Sequence, residues 1–226
     1  MKLPATLRPI LPILILPIIS SFVIGVVMLK LIGPPIADLM EFLKIWLHSM
    51  ESGNAIILAL VLGSMIAFDM GGPVNKVAFF FAAAMIKEGN PQIMGAVGAA
   101  ICTPPLGMGL ATIIGKRLWS EDEKKSGVAG MTMGLIGITE GAIPFAASYP
   151  LQVIPSIMIG SMVAAAISMA LGVANYAPHG GPIVLPVVNN KLGYVAAIVA
   201  GAMVTALVVN AVRTLSINAQ AKKEAL

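Results

Sequence analysis

Long apolar stretches alternate along this chain with shorter apolar pieces that Gly, Pro and polar residues interrupt. A helix needs about 20 apolar residues to cross a bilayer, and four stretches reach that length: 10–32, 92–115, 151–174 and 192–212. Three further segments are too short or too broken, namely 54–86, 128–150 and 177–190. Because non-helical backbone at membrane depth needs protein or a water-filled cavity to cover it, we expect these three segments to be re-entrant and to face a cavity.

Residues 38–48 follow a different, amphipathic pattern. Glu41, Lys44 and His48 recur at helical spacing, and Leu, Phe and Trp fill most of the other positions. Such a segment is typical of a helix that lies in the membrane interface. The hydrophobic pattern as a whole therefore predicts an all-α, polytopic membrane protein built from transmembrane helices and re-entrant helical hairpins.

The composition supports a lipid environment. Of 226 residues, 58% are hydrophobic and 11% are charged, and the mean hydropathy is +0.95; so few charges could not cover the surface of a soluble protein of this size. The net charge of +4 comes from basic residues scattered between apolar segments, a pattern typical of topology signals and not of a nucleic-acid surface. A single cysteine, Cys102, excludes an internal disulfide and a Cys-rich metal site. We expect no metal and no cofactor.

One carboxylate interrupts an apolar run. Glu140 lies within GLIGITEGAIPFAA at 134–147, between two glycines and a proline that break the helix. A carboxylate in the middle of a membrane segment costs about 2.5 to 3.5 kcal/mol on insertion scales, so it is retained only where it faces a cavity, pairs or binds a ligand. The alternative is a position at the interface, where Glu140 would be solvated or neutralised by Lys124 or Lys125.

Two other broken segments carry polar residues. Asp69, Asn75 and Lys76 surround a Gly-Gly-Pro turn, which either binds a polar ligand or forms a water-facing loop with an ion pair between Asp69 and Lys76. His179 lies in NYAPHGGP, and a lone histidine of this kind is either a ligand-binding or a packing residue. Two consecutive prolines in 92–115 predict freed backbone carbonyls that are satisfied inside the protein.

Four motifs then carry a resemblance: AFDMGGPVNKVAFFF, TPPLGMGLAT, GLIGITEGAIPFAASYPLQVIPSIMIGS and PHGGPIVLP, in this order. Together they resemble the membrane-embedded enzyme IIC component of the bacterial fructose-type phosphotransferase system, from about Leu3 to Arg213. The resemblance implies a multi-pass sugar permease of the bacterial cytoplasmic membrane. In that family the IIC component binds the hexose, and a separate IIB component, phosphorylated on cysteine, transfers the phosphoryl group to it.

The resemblance and the hydrogen-bonding needs of sugar hydroxyls together predict the site. The expected substrate-binding residues are Asp69, Asn75, Lys76, Thr139, Glu140 and His179. Glu140 is also the expected catalytic residue, as the base or hydroxyl-orienting group in phosphoryl transfer. Family members carry further spans upstream of these motifs, so we expect a homodimer or a complementary membrane subunit, and no transport by the chain alone. Tyr149 replaces the acidic residue that the family has before this proline, and we expect it to change the polarity near the site.

Two alternative functions stay open at this point. An ion-coupled secondary carrier would use Glu140 and Asp69 to bind a proton or a sodium ion, although the family motifs argue against it. A non-transporting membrane subunit that only packs against another chain is the other alternative.

The distribution of Lys and Arg predicts the topology. The loop 115–127 and both termini carry basic residues next to the spans and are expected in the cytoplasm. Cysteines introduced at Ser126 and Ala221 should therefore resist a membrane-impermeant thiol reagent added from the periplasmic side. Efficient labelling of either position from that side would overturn this topology.

Overall fold

The computed structural model describes residues 14–50 and 53–224, and every regular element within these ranges is helical. The predicted all-α class is therefore confirmed. The α-helices are Leu16–Val27 (α1), Gly33–Met50 (α2), Ala55–Phe68 (α3), Pro73–Lys87 (α4), Pro91–Ile114 (α5), Glu121–Leu135 (α6), Ile143–Ser148 (α7), Pro150–Ala170 (α8) and Lys191–Glu224 (α9). A π-helical turn lies at Met28–Ile32, and 3₁₀ turns lie at Thr139–Ala142 and Pro182–Val187.

Four helical stretches in the described part of the chain are long and apolar enough to cross a membrane. They are Leu16–Met50, Pro91–Ile114, Pro150–Ala170 and Lys191–Ala219. Each overlaps one of the four long apolar stretches of the sequence. The short helices α3, α4, α6 and α7 fall in the interrupted segments, where the apolar run is too short for a full crossing.

The chain forms two compact units, Met1–Leu43 and Lys44–Leu226. In the described part of the first unit, large apolar side chains such as Phe22 and Leu29 are 71% and 76% exposed. Such exposure is typical of a helix that meets lipid and not water. The amphipathic segment 38–48 falls inside α2.

Helix α5 forms the centre of the second unit. Of its 24 residues, 19 are buried, because glycines and alanines let neighbouring helices approach closely. The helix continues through Pro104 and Pro105. Pro104 has no N–H for the carbonyl of Ala100, and the Ser161 hydroxyl of α8 donates to this carbonyl instead, at 3.3 Å. The prediction that a freed carbonyl is satisfied inside the protein is confirmed here.

Helix α6 runs back along α5 from the C-terminal end of α5. Gly127, near the start of α6, lies against Thr112, whereas Gly141, beyond the end of α6, lies against Pro105. The segment that carries Glu140 therefore reaches the middle of α5 from this end.

The loop between α8 and α9 reaches the middle of α5 from the opposite end. The N–H of Asn175 donates to the carbonyl of Pro91 at 3.1 Å, and the N–H of Gly181 donates to the carbonyl of Gly98 at 3.0 Å. At about 1.5 Å per residue, Ile101 lies about 15 Å from the start of α5, which is about half the thickness of a bilayer core. The interrupted segments thus meet beside the middle of α5, a helix long and apolar enough to cross a membrane.

Helix α6 begins at Glu121, inside the stretch that the hydropathy pattern assigns to a charged loop. A capping box explains this difference. The Ser120 hydroxyl accepts from the N–H of Glu123 at 3.3 Å, and the Glu123 carboxylate accepts from the N–H of Ser120 at 2.6 Å. The signal is present in the sequence as S-E-D-E, but hydropathy does not detect it.

Gly160 tests the close packing of α8 against α9, because a Cβ there would overlap Thr205 and lie 2.6 Å from the carbonyl oxygen of Gly201. We expect Gly160→Ala to destabilise the protein by about 1 to 3 kcal/mol through overpacking, measured as a lower unfolding temperature in detergent. Gly25→Ala in α1 is the control, since a Cβ at Gly25 would meet nothing within 4 Å. Equal unfolding temperatures for the two variants would contradict close packing at Gly160.

Candidate functional site

The tips of the interrupted segments surround a cavity of about 460 Å³. Its walls come from α4, from the middle of α5, from the turn between α6 and α7, and from the loop before α9. The lining residues are Asn75, Lys76, Phe79, Ile101, Gly137, Ile138, Thr139, Glu140 and His179. This volume lies in the range of small-molecule sites, about 300 to 1,000 Å³.

Lys76 and Glu140 form a loose ion pair in this cavity. Nζ of Lys76 lies 3.8 Å from Oε1 of Glu140, and the two side chains are 45% and 40% exposed. The separation exceeds that of a charge-assisted hydrogen bond, about 2.7 to 2.9 Å, and an ion pair this exposed contributes no more than about 1 kcal/mol. Within the described chain, neither the ammonium nor the carboxylate forms a hydrogen bond. Both groups are therefore available to a ligand.

Gly137 sets the position of the turn that carries Glu140. Its φ of +79° lies in the left-handed region, and a Cβ would overlap the carbonyl oxygen of Gly180. Nε2 of His179 lies 2.8 Å from the carbonyl oxygen of Ile136, and because a carbonyl only accepts, this nitrogen carries the proton. The His179 loop is thereby tied to the Glu140 turn, which leaves Nδ1 of the ring for a ligand.

Asp69 caps the start of α4 and does not line the cavity. Its Oδ2 accepts from the N–H of Val74 and its Oδ1 from the N–H of Asn75, both at 2.8 Å. A carboxylate at this end of a helix satisfies unpaired N–H groups and interacts favourably with the helix dipole. The expected alternative, an ion pair between Asp69 and Lys76, is not formed. The Asn75 amide donates to the carbonyl of Ile66 at 2.6 Å, so its Oδ1 is left as an acceptor.

The structure brings five of the six predicted binding residues to one cavity and places Asp69 outside its lining. The sequence does not point to two apolar residues of the wall, Phe79 and Ile101. Phe79 follows Lys76 by about one helical turn, a spacing that places both on one face of α4. Ile101 offers no such signal, because only tertiary packing brings the middle of α5 to the hairpin tips.

The lysines considered as partners for Glu140 are engaged elsewhere. Lys124 pairs with Glu121 at 2.8 Å and Lys125 pairs with Asp122 at 3.0 Å, both within α6. Neither lysine therefore neutralises Glu140. Within residues 14–50 and 53–224, no three His, Cys, Asp or Glu side chains lie close enough together to hold a metal ion.

A second cavity, of about 390 Å³, lies between α6 and the start of α7. Small residues form much of its lining, among them Ala129, Gly130 and Gly141. Glu140 lines this cavity as well as the first, and it is the only residue that the two linings share. The carboxylate therefore stands at the wall between them.

A buried cluster around Arg213 holds the base of the segment that carries Glu140. The guanidinium carbon lies 4.3 Å from the ring centre of Trp119 and 3.9 Å from that of Tyr149. The Nη2 atom lies 3.4 Å from Oε1 of Glu123. Arg213 of α9 thus contacts Trp119 just before α6, Glu123 in the first turn of α6, and Tyr149 just after α7.

Tyr149 belongs to this cluster and does not line the cavity. The prediction that it changes the polarity near the site is therefore wrong. Trp119 extends the cluster toward α5: its Nε1–H donates to Asn210 at 2.8 Å, and Asn210 donates to the carbonyl of Ala111 at 3.0 Å. The sequence gives no signal for these contacts, since the partners lie about 90 positions or more apart along the chain.

A family model described as "Phosphotransferase system, EIIC" matches residues 1–160, which include the motifs around Lys76 and Glu140. The chain belongs to this family. With its four apolar helices, this EIIC chain is a membrane-embedded protein.

Curated relatives agree with the family. The EIIC chain is 46% identical to "Fructose-like permease IIC component 2" of Escherichia coli (strain K12) over 217 residues, which cover 95% of this chain and 60% of the relative. It is 42% identical to "Fructose permease IIC component" of Bacillus amyloliquefaciens over 211 residues, which cover 93% of this chain and 69% of the relative.

A larger relative extends well beyond the match. The "PTS system fructose-specific EIIB'BC component" of Escherichia coli (strain K12) is 42% identical over 225 residues, which cover 98% of this EIIC chain but 40% of the relative. The chain therefore spans between 40% and 69% of the length of these three relatives. No solved structure matches it.

The Glu123 carboxylate makes the Arg213 cluster sensitive to pH. Burial raises the pKa of Glu123, but hydrogen bonds from Ser120 and Tyr149 and the charge of Arg213 bring it below its ordinary value of 4.5. The charged form therefore stabilises the fold above about pH 4.5, and this contribution is lost as the pH falls through the lower folded-state pKa.

We expect the unfolding temperature in detergent to fall more steeply below about pH 4.5 for the parental protein than for Glu123→Gln, which has no charge to lose. Asp122→Asn is the matched control, because this neighbour is 93% exposed and pairs with Lys125 at the surface of α6. Parallel pH profiles for the parental protein and Glu123→Gln would rule out this contribution.

Proposed function

We propose that this EIIC chain is the sugar-translocating component of a phosphoenolpyruvate-dependent phosphotransferase system and binds fructose or a fructose-like hexose in the Glu140 cavity. The strongest support is the Glu140 carboxylate, which lines this cavity beside the middle of α5 and receives no hydrogen bond from the described chain. A sugar hydroxyl would supply the missing donor. Family membership and the fructose in the names of the relatives support the same substrate class.

The groups in the cavity suit the hydroxyls of a hexose, each of which both donates and accepts a hydrogen bond. Glu140 and Oδ1 of Asn75 accept, the Lys76 ammonium donates, and the Thr139 hydroxyl does both. Nδ1 of His179 accepts when the ring is neutral, since Nε2 carries the proton. Phe79 and Ile101 offer apolar surface to the carbon face of a sugar.

Phosphoryl transfer would take place on the bound sugar. The proposed donor is the phosphocysteine of a IIB component, a partner suggested by relatives that carry both B and C in their names. Glu140 would accept the hydroxyl proton as the sugar oxygen attacks phosphorus, because a carboxylate within reach of a hydroxyl can act as a general base. The protein supplies no nucleophile of its own in this step.

Transport would follow from movement of the hairpin tips around the bound sugar. The Glu140 segment and the His179 loop reach the cavity from opposite ends of α5, so each can open toward one face of the membrane. We place the chain in the bacterial cytoplasmic membrane, as a homodimer or with a complementary membrane subunit. Phosphorylation on the cytoplasmic side would prevent return of the sugar.

An ion-coupled carrier is less well supported. Glu140 already faces the Lys76 ammonium, and both oxygens of Asp69 accept backbone N–H groups. Neither carboxylate therefore offers a cation an uncompensated negative charge. A subunit that only packs against another chain would have no use for polar groups around a cavity at this depth.

Glu140→Gln should keep the fold and lose sugar phosphorylation, because the amide preserves the shape but cannot accept the proton. We expect the rate of fructose phosphorylation by phosphorylated IIB to fall by about 10² to 10⁴, measured with labelled fructose in membrane vesicles. Glu121→Gln is the control, since its carboxylate is 82% exposed in α6 and does not line the cavity. Phosphorylation at the parental rate by Glu140→Gln would show that Glu140 is only structural.

A further inference from the structure

We propose that Lys76 is a catalytic residue whose ammonium leaves Glu140 during the reaction and contacts the phosphoryl group that is being transferred. This role rests on the proposed function, because it concerns the same cavity and the same transfer. It goes beyond sugar binding, since neutral hydroxyls need a hydrogen-bond donor but not a positive charge.

The arriving phosphoryl group creates a need for a cation in the cavity. A phosphoryl group carries about 1.5 to 2 negative charges at neutral pH, and the sugar to be phosphorylated lies beside the Glu140 carboxylate. Enzymes that transfer phosphoryl groups offset this repulsion with a metal ion, an arginine or a lysine. Among the residues that line the cavity, Lys76 is the one lysine or arginine.

Three other groups that could offer positive charge are engaged elsewhere. The start of α4 would be a natural anion site, but the Asp69 carboxylate accepts from its N–H groups at Val74 and Asn75. Nε2 of His179 donates to a backbone carbonyl. Arg213 is only 8% exposed, with its guanidinium over the rings of Trp119 and Tyr149. The positive charge at Lys76 is therefore the one left to meet an incoming anion.

The local geometry allows Lys76 to change partners. Its ammonium lies 3.8 Å from Glu140, forms no hydrogen bond within the described chain, and belongs to a side chain that is 45% exposed. The side chain is long, and separating so loose an ion pair costs little free energy. A transfer of the ammonium from carboxylate to phosphoryl oxygen needs side-chain rotation and no movement of α4.

Charge balance links the partner change to the chemical step. A sugar hydroxyl oxygen forms a bond to phosphorus while the phosphorus–sulfur bond of the donor cysteine breaks, and the bonding pair leaves with sulfur as a thiolate. The hydroxyl proton goes to Glu140, which becomes neutral. Glu140 then no longer attracts the ammonium, and Lys76 stays with the sugar phosphate until the product leaves.

The test separates binding from transfer in membrane vesicles that contain the full chain. For Lys76→Met, we expect fructose affinity without donor to fall by no more than about tenfold, the cost of one lost hydrogen bond to a hydroxyl, whereas single-turnover transfer from phosphorylated IIB slows by about 10² to 10³. The affinity for fructose 1-phosphate or fructose 6-phosphate, measured by competition against labelled fructose, should fall by about a further tenfold or more beyond the loss of fructose affinity. Lys76→Arg, which keeps the charge, should restore much of the transfer rate and much of the competition by the sugar phosphates.

Lys87→Met is the matched control, because Lys87 lies on the same helix and outside the Glu140 cavity. Equal losses of fructose affinity and transfer rate in Lys76→Met would overturn the catalytic role and leave Lys76 a sugar-binding residue. Unchanged transfer would overturn it as well. If the parental chain itself neither binds fructose nor supports its phosphorylation, the proposed function fails and this role fails with it. Size-exclusion profiles confirm that each variant is folded before it is compared.

Discussion

Backbone polar groups that leave a helix at membrane depth must find partners, and this requirement organises the centre of the molecule. The loop before α9 meets it by donating from Gly181 to the carbonyl of Gly98, and the ring of His179 holds the carbonyl of Ile136. The Asp69 carboxylate accepts from the otherwise unpaired N–H groups at the start of α4. With the backbone satisfied in this way, the polar side chains of the interrupted segments are left to line one cavity: Asn75, Lys76, Thr139, Glu140 and His179.

The segment that carries Glu140 is fixed at two levels. At its base, Arg213 joins the first turn of α6 to the start of α8 through Glu123, Trp119 and Tyr149. At its tip, a left-handed glycine lets the turn lie directly against the His179 loop. Between these points the Glu140 side chain forms no hydrogen bond within the described chain, so a packed frame presents its carboxylate to the cavity.

The looseness of the pair between Lys76 and Glu140 has a functional meaning. A tight, buried and fully hydrogen-bonded pair would be costly to separate, by several kcal/mol, and a neutral sugar could not compete with it. At 3.8 Å and about 40% exposure, each partner can exchange the other for a ligand group. In the proposed function, this pair would combine charge neutrality at rest with access for both a hydroxyl and an anion.

The sequence by itself determined the helical class, the four long apolar helices and the residue types of the site, because lipid solvation acts on each apolar or polar residue where it stands. Asn75, Lys76, Thr139, Glu140 and His179 could be selected as polar residues in broken apolar segments. Tertiary structure alone decided the partners of these side chains. Lys76 faces Glu140 and not Asp69, although Asp69 is much nearer along the chain. Tyr149 contacts Arg213, away from the cavity. Periodicity reports only which residues share a face of one helix, whereas these contacts join segments that α5 brings together from opposite ends.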